Sequence, residues 1–121
     1  MPQPCDPSAL PVNPDWEVHP GAVKMLLDAR EEFLLLDVRR LPEWNAARID
    51  RATFIPMHEL AARLPEIEPW KNRRVVVQCH HGVRSLNVTA FLRQQGFTNT
   101  HSMAGGLEAY SVLVDPTVPR Y

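Results

Sequence analysis

The chain has 121 residues and a mass of 13.8 kDa, the size of one domain. Its 13 Lys and Arg against 14 Asp and Glu argue against a binder that holds nucleic acid through a strongly basic surface. Two cysteines do not make a disulfide scaffold, and the apolar runs FLLLDV and VVVQC are too short to span a bilayer. The first residues lack the basic and apolar regions of a signal or transit peptide. We therefore expect a cytoplasmic, reducing setting and no nucleic-acid or membrane partner.

Proline outlines the domain organisation that we expect. Six of the 12 prolines fall within the first 20 residues, and proline fixes φ and removes a backbone donor. Residues 1–16 are therefore predicted to be an extended arm, partly ordered if Val12 or Trp16 docks on the body. A domain is predicted over residues 17–114, with a C-terminal tail at 115–121. Cys5 is interpreted as an incidental thiol of the arm, the alternative being a redox partner for a second cysteine.

In chain order, short apolar runs alternate with segments of helical periodicity. Strands are predicted at 33–38, 53–55, 75–78 and 100–103. Helices are predicted at 22–30, 42–47, 58–64, 84–95 and 105–114, the fourth with Leu86, Ala90 and Phe91 facing inward. This alternation indicates βαβ units, an α/β fold and a parallel sheet. Ligands of such sheets bind beyond the carboxyl ends of the strands, which points to the segments after Val38 and Gln78.

The segment after Gln78 reads Cys79-His80-His81-Gly82-Val83-Arg84-Ser85. Here a predicted strand ends in a cysteine, a short loop follows, and a helix begins near Arg84. Loop amides and a helix N-terminus form an anion-binding nest, Gly82 permits backbone angles that a Cβ forbids, and Arg84 adds a fixed cation. These features would favour the thiolate form of Cys79 and make it a nucleophile. The alternative is a buried structural cysteine, which the strand–loop–helix context disfavours.

The adjacent histidines of this loop raise the question of a metal. Neighbouring residues do not readily share one tetrahedral ion, and paired metal-ligand spacings are absent from the chain. No metal and no other cofactor is therefore predicted. We expect His80 and His81 to line the rim of the pocket, partly protonated, and to favour an anionic substrate.

A second segment, Asp37-Val38-Arg39-Arg40, follows the first predicted strand and leads to Glu43 and Trp44. A charged aspartate at a strand end must be paired or hydrogen-bonded, so Asp37 is interpreted as a structural carboxylate that fixes the loop. Arg39 is expected to pair with Glu43 and order the turn, the alternative being that it reaches the pocket mouth. Trp44 is assigned to the core.

Together the motifs LLLDVR, EW, VVVQCHHGVRS, LRQQGF and MAGGLEAY resemble the single-domain rhodanese-like sulfurtransferases, from about Val18 to Tyr110. The tail VDPTVPRY also resembles the ends of some bacterial rhodanese domains, including ones fused to sulfur-carrier adenylating enzymes. The resemblance implies a five-stranded, largely parallel sheet with helices on both faces.

The resemblance also implies a mechanism. Cys79 would attack the outer sulfur of a small anionic donor such as thiosulfate, sulfite would leave, and the Cys79 persulfide would pass its sulfur to cyanide, a thiol or a protein acceptor. The loop amides would stabilise the persulfide, and Arg84 would shape the loop and attract the anion. The stretch 47–52 (ARIDRA) departs from the Gly-His-Ile-Pro-Gly-Ala common in the family, and Tyr110 replaces its common tryptophan.

Other functions remain open. A sulfur carrier loaded by a partner enzyme would use the same persulfide, whereas an inactive binding module would usually lack Cys79. Related phosphatases and arsenate reductases use a Cys-x5-Arg loop, wide enough for a tetrahedral phosphate. The spacing here is Cys-x4-Arg, which favours sulfur transfer.

Overall fold

The structure, a computed structural model, describes residues 10–121 and contains a five-stranded, all-parallel sheet in the order β1-β5-β4-β2-β3. The strands are β1 Glu17–Val18, β2 Leu34–Asp37, β3 Thr53–Phe54, β4 Val75–Gln78 and β5 Thr100–Met103. The helices are α1 Pro20–Asp28, α2 Leu41–Ala46, α3 Leu60–Arg63, α4 Val83–Gln94 and α5 Gly106–Leu113. Short 3₁₀ turns at Met57–Glu59, Leu64–Glu66 and Glu68–Trp70 flank α3. The predicted α/β fold is confirmed, while the hypotheses on Cys5 lie outside the described residues.

Helices cover both faces of the sheet, because successive strand residues point to opposite sides. One face packs against α3 and α4 through Leu36, Val77, Leu60, Val88 and Leu92. The other face packs against α1 and α5 through Leu35, Val76, Val23, Leu107 and Tyr110. Every residue of β2 and β4 is buried, as expected for a parallel sheet covered on both sides. Among residues 10–121, no helix has the length and apolar character needed to cross a bilayer.

The buried face of α4 is more polar than the periodicity indicates. Its buried residues are Ser85, Val88, Thr89 and Leu92, whereas the predicted inward residues Leu86, Ala90 and Phe91 are only half-buried. The buried hydroxyls have partners: Thr89 Oγ1 donates to the Ser85 carbonyl at 2.7 Å. Hydrogen bonding offsets the desolvation that would keep such residues at the surface. The prediction therefore missed the most buried residues of α4, although one of the predicted residues, Phe91, packs against the core.

The strand β1 is not among the strands predicted from periodicity, because two residues between Pro14 and Pro20 carry no readable pattern. It pairs with β5, placing Val18 opposite Met103. The Trp16 carbonyl just before it accepts a hydrogen bond from the Ser102 amide at 2.8 Å. The Arg93 guanidinium lies 4.2 Å from the centroid of the Trp16 ring. Trp16 therefore docks this part of the proline-rich segment on the body.

The order of the central strands brings three loops to one edge of the sheet. β2 and β4 are neighbours with Asp37 opposite Gln78, so the segments that follow them start side by side. β5 lies on the other side of β4 and leads into Gly105 and Gly106. Cys79, the first residue after β4, lies between these two flanking connections.

Candidate active site

Cys79 is a free, buried cysteine whose sulfur is surrounded by donors of its own loop. The amide of Gly82 donates to Sγ at 3.1 Å and the amide of Ser85 at 3.3 Å. The thiol lies 3.4 Å from Ser85 Oγ, and this hydroxyl shares a 2.6 Å hydrogen bond with Ser102 Oγ. Amides fixed around one sulfur stabilise negative charge there without reorganisation.

Two glycines allow the loop to lie directly against the start of α5. Gly82 has φ of 98°, in the left-handed region that favours glycine. At Gly106, a Cβ would lie 2.6 Å from the Cys79 carbonyl oxygen and closer still to that of His80. The close approach lets the Leu107 amide donate to the Cys79 carbonyl at 2.8 Å. Gly106 is not among the predicted site residues, although the Gly-Gly before the last helix is a readable signal.

Arg84 does not present a free cation to the nest, contrary to expectation. Its two terminal nitrogens donate to the Glu43 carboxylate at 2.7 and 2.8 Å. These bonds, together with the Arg40 amide, hold the pKa of Glu43 down at about 2, against the opposing effect of burial. The same bonds raise the pKa of Arg84. The guanidinium therefore fixes the first turn of α4 to α2 as half of an ion pair.

The predicted ion pair between Arg39 and Glu43 is wrong. Arg39 is fully buried and pairs with Asp37, Nη2 lying 2.7 Å from Oδ2 and Nε lying 2.9 Å from Oδ1. Arg39 reaches Glu43 only at its backbone carbonyl, at 3.3 Å, and also donates to the Ala47 carbonyl at 2.6 Å. A buried guanidinium requires a carboxylate and acceptors for its remaining protons. Asp37 additionally accepts from Gln78 Nε2 at 3.1 Å.

Two residues of the ARIDRA stretch, Ala47 and Ile49, are buried. Trp44, assigned to the core from the sequence, is half-buried. Its ring stacks on Phe54 with centroids 4.9 Å apart.

His80 lies between two aromatic rings rather than on an open rim. Its imidazole stacks on His81 at a centroid distance of 4.0 Å and on Tyr121 at 4.1 Å. Burial, followed by the charge of His81, lowers the pKa of His80. Burial thus disfavours the protonated form of His80, and its role toward a substrate stays a prediction; His81 is exposed. Within residues 10–121, no three His, Cys, Asp or Glu side chains are grouped so that they could hold a metal ion.

Tyr121 is not among the site residues predicted from the sequence. It contacts both the Asp37–Arg39 pair and the Glu43–Arg84 pair. Its hydroxyl accepts from Arg39 Nη1 at 2.9 Å and donates to Glu43 Oε2 at 2.9 Å. Burial raises the pKa of Tyr121 to about 12, so the phenol keeps the proton that it donates. The segment 115–121 that carries it is also anchored at Val118, which is buried. The Val118 carbonyl accepts from Ser111 Oγ at 2.5 Å.

A cleft of about 580 Å³ lies beside the loop. It is lined by Val38, Arg40, Glu43, Met57, His58 and Arg84. Cys79 does not line this cleft, and Arg84 is the loop residue that borders it. The Glu43–Arg84 ion pair thus forms part of the wall of this cleft.

The parallel sheet and the amide-lined cysteine after its central strand define a rhodanese-like domain. The chain belongs to the Rhodanese-like domain family, which it matches over residues 19–112. The family identified from the sequence motifs is thereby confirmed, and with it a general assignment to the rhodanese-like sulfurtransferases.

Similarity to curated relatives supports this assignment. The chain is 34% identical over 95 residues to a protein named Sulfurtransferase from Allochromatium vinosum, covering 78% of this chain and 87% of that protein. It is 36% identical over 103 residues to Adenylyltransferase and sulfurtransferase MOCS3-2 from Zea mays, covering 81% of this chain. The chain spans only 21% of the maize protein, and 31% of a Rhodanese-like/PpiC domain-containing protein from Arabidopsis thaliana.

Solved structures have the same fold. A rhodanese-like domain protein from Staphylococcus aureus superposes with a TM-score of 0.74 at 24% identity, covering 88% of this chain and 98% of that one. A thiosulfate sulfurtransferase from Pseudomonas aeruginosa gives a TM-score of 0.72 at 30% identity, covering 80% of this chain and 19% of that one.

Proposed function

We propose that the protein transfers sulfane sulfur from thiosulfate, or from a persulfide donor, through a persulfide on Cys79 to cyanide or a thiol acceptor. The observation that carries this proposal is the pair of amides, from Gly82 and Ser85, aimed at Sγ at 3.1 and 3.3 Å. They favour the thiolate that attacks and the anionic persulfide that results. Sulfur remains on the enzyme as a covalent intermediate between the two half-reactions.

In the first half-reaction, the Cys79 thiolate attacks the outer sulfur of thiosulfate. A new S–S bond forms on Cys79, the S–S bond of thiosulfate breaks, and sulfite leaves with its electron pair. In the second, cyanide or an acceptor thiolate attacks the outer sulfur of the persulfide. Thiocyanate or an acceptor persulfide leaves, and the Cys79 thiolate is regenerated. Neither half-reaction needs an added oxidant, because the transferred sulfur brings its oxidation state with it.

The charge distribution around Cys79 favours amides over a guanidinium as the groups that stabilise the anion. Arg84 is neutralised by Glu43 at 2.7 and 2.8 Å, and Arg39 by Asp37 at 2.7 Å. A tetrahedral phosphate would need such a guanidinium as a free partner. This pairing, in addition to the Cys-x4-Arg spacing, makes phosphatase or arsenate reductase chemistry the less favoured function.

A second candidate is a sulfur carrier that is loaded by a partner enzyme and turns over poorly on small donors. Its support is the similarity to the maize protein, in which a region like this chain accounts for 21% of a longer adenylyltransferase and sulfurtransferase. Cys79 is only 1% exposed. A small donor or a partner enzyme must therefore reach its sulfur through an opening in the loop that surrounds it. In both cases we place the protein in the cytoplasm, since the nucleophile must be kept as a free thiol.

The test is steady-state sulfur transfer from thiosulfate to cyanide, measured as thiocyanate, with the chain and its Cys79→Ala and Cys5→Ala variants. The proposal predicts turnover in the wild type and in Cys5→Ala, and none above the uncatalysed rate in Cys79→Ala. If thiosulfate gives no turnover but a persulfide-bearing cysteine desulfurase loads Cys79, the carrier is favoured. If neither donor works on folded, reduced protein, the proposal is wrong. Hydrolysis of an aryl phosphate by the same samples would instead favour the phosphatase.

A further inference from the structure

We infer that Tyr121 is a positioning residue of the Cys79 site, and that segment 115–121 works as part of that site. The inference rests on the proposed sulfur transfer for its kinetic test. It rests on geometry for its structural test, because Tyr121 contacts His80 of the Cys79 loop directly and reaches Arg84 through Glu43.

The first contact is made by the hydroxyl. Tyr121 Oη lies 2.9 Å from Arg39 Nη1 and 2.9 Å from Glu43 Oε2, between two groups of opposite charge. Arg39 is fully buried, and its only other acceptor for Nη1 in the described chain is the Glu43 carbonyl at 3.3 Å. The hydroxyl thus connects the buried Asp37–Arg39 pair to the Glu43–Arg84 pair.

The Glu43–Arg84 pair in turn positions the end of the nucleophilic loop. Arg84 is the second residue of α4, and the next residue, Ser85, supplies one of the two amides on Cys79 Sγ, at 3.3 Å. The Arg84 backbone and the Ser85 amide belong to one peptide unit, so the ion pair that holds the Arg84 side chain also restrains that amide. A hydrogen bond that fixes Glu43 also fixes this geometry.

The second contact is made by the ring. Tyr121 stacks on His80 with centroids 4.1 Å apart and planes inclined by 18°. His80 is the first residue after Cys79, and its carbonyl accepts from the Glu108 amide at 3.1 Å. Tyr121 therefore supports the start of the loop directly, through His80. It supports the end of the loop indirectly, through Glu43 and Arg84.

The segment that carries Tyr121 is itself fixed to the body. Val118 is buried, and its carbonyl accepts from the buried Ser111 hydroxyl at 2.5 Å. Arg120 donates to Glu108 at 2.6 Å. These anchors hold the backbone independently of Tyr121, so a change of its side chain tests the contacts of the ring and hydroxyl alone.

The test compares Tyr121→Phe, which keeps the ring, with Tyr110→Phe, which makes the same chemical change beside Asp115 and Val118 of the same segment and leaves the hydroxyl between Arg39 and Glu43 in place. We expect Tyr121→Phe to lower kcat for sulfur transfer about tenfold, with KM for the donor unchanged, since the two charge-assisted hydrogen bonds of the hydroxyl, with Arg39 and Glu43, are lost. Tyr110→Phe should leave both constants at the wild-type values. The amide signals of Gly82 and Ser85 in a ¹H–¹⁵N spectrum should shift in Tyr121→Phe and not in Tyr110→Phe.

A double-mutant cycle with Glu43→Ala tests whether the hydroxyl acts through that carboxylate. If it does, Tyr121→Phe has little further effect once Glu43 is gone. Additive effects, or wild-type kcat and amide signals in Tyr121→Phe, would overturn the inference. If the wild-type chain transfers no sulfur, the proposed function fails, and the shifts of the Gly82 and Ser85 amides alone then decide the role of Tyr121.

Discussion

The carboxylate of Glu43 binds both terminal guanidinium nitrogens of Arg84, at 2.7 and 2.8 Å, across 41 residues of sequence. This pair connects α2 to the loop that holds Cys79. The charge that the arginine brings to the loop is thereby balanced within the protein. In the proposed sulfur transfer, the backbone amides around Cys79 would therefore be the groups that stabilise an anionic sulfur species.

The Glu43–Arg84 pair makes stability depend on pH in the acid range. The pKa of Glu43 is about 2 in the folded protein against an ordinary 4.5. The contribution of the ionised carboxylate to the free energy of unfolding is therefore fully present above about pH 4.5 and is lost as the pH falls through about 2. We expect Glu43→Gln to lower the free energy of unfolding by about 3 kcal/mol at pH 6, and by much less at pH 2.5. Urea unfolding of both proteins at the two pH values measures the difference.

The matched control for this prediction is Glu66→Gln, since Glu66 pairs with Arg63 at an exposed position, at 2.7 Å. Exposed pairs contribute little, so this variant should unfold almost like the wild type at pH 6. If the free energies of unfolding of the wild type and Glu43→Gln differ by the same amount at pH 6 and pH 2.5, the low pKa assigned to Glu43 is contradicted.

The buried hydroxyl pair beside the sulfur gives a second prediction. Ser85 and Ser102 share a 2.6 Å hydrogen bond, so Ser85→Ala leaves the Ser102 hydroxyl buried without its partner. We expect a loss of about 1–3 kcal/mol in denaturant unfolding, and a smaller total loss in the Ser85→Ala/Ser102→Ala double variant than the two single losses sum to. Strict additivity would show that the hydroxyls do not depend on each other. Sulfur loading should persist in all three variants, because the amides on Sγ belong to the backbone.

The contact between the Cys79 loop and α5 gives a third prediction. A Cβ on Gly106 would lie 2.6 Å from the Cys79 carbonyl oxygen, and backbone cannot yield as a flexible side chain can. Gly106→Ala should therefore destabilise the protein by about 3 kcal/mol or more and abolish sulfur transfer.

Gly96→Ala is the matched control, because Gly96 also has a positive φ, 94°, but its Cβ would meet only the side chain of Lys71. That variant should lose about 1 kcal/mol and keep wild-type activity, whereas equal effects would contradict the proposed role of the close contact.

Local patterns in the sequence predict the elements that hold Cys79. The strands predicted at 75–78 and 100–103 coincide with β4 and β5, because both are short runs flanked by helical periodicity. The nucleophilic loop is likewise readable from residue types: a cysteine after a β-branched strand, a glycine, and a helix start. Each of these signals lies within a few residues of the feature that it predicts.

Two contacts that organise the site, Glu43–Arg84 and Arg39–Tyr121, are long-range, and the sequence does not predict them. Arg39 and Glu43 have the i,i+4 spacing of a helical ion pair, but α2 begins only at Leu41, so that geometry does not apply to Arg39. Arg39 binds the carboxylate of Asp37 instead, because it is completely buried beside that residue. The bond from Arg39 to Tyr121 crosses 82 residues, and no local periodicity indicates such a partner.

The central claim is that Cys79 carries the transferred sulfur, and intact mass spectrometry tests it most directly. Reduced wild-type protein and the Cys79→Ala variant are incubated with thiosulfate, or with a persulfide-bearing desulfurase, and then with cyanide. We predict that the wild type gains one sulfur atom, that cyanide removes it, and that Cys79→Ala gains none. Loading of the variant to the same extent, or no loading of folded wild type by either donor, would contradict it.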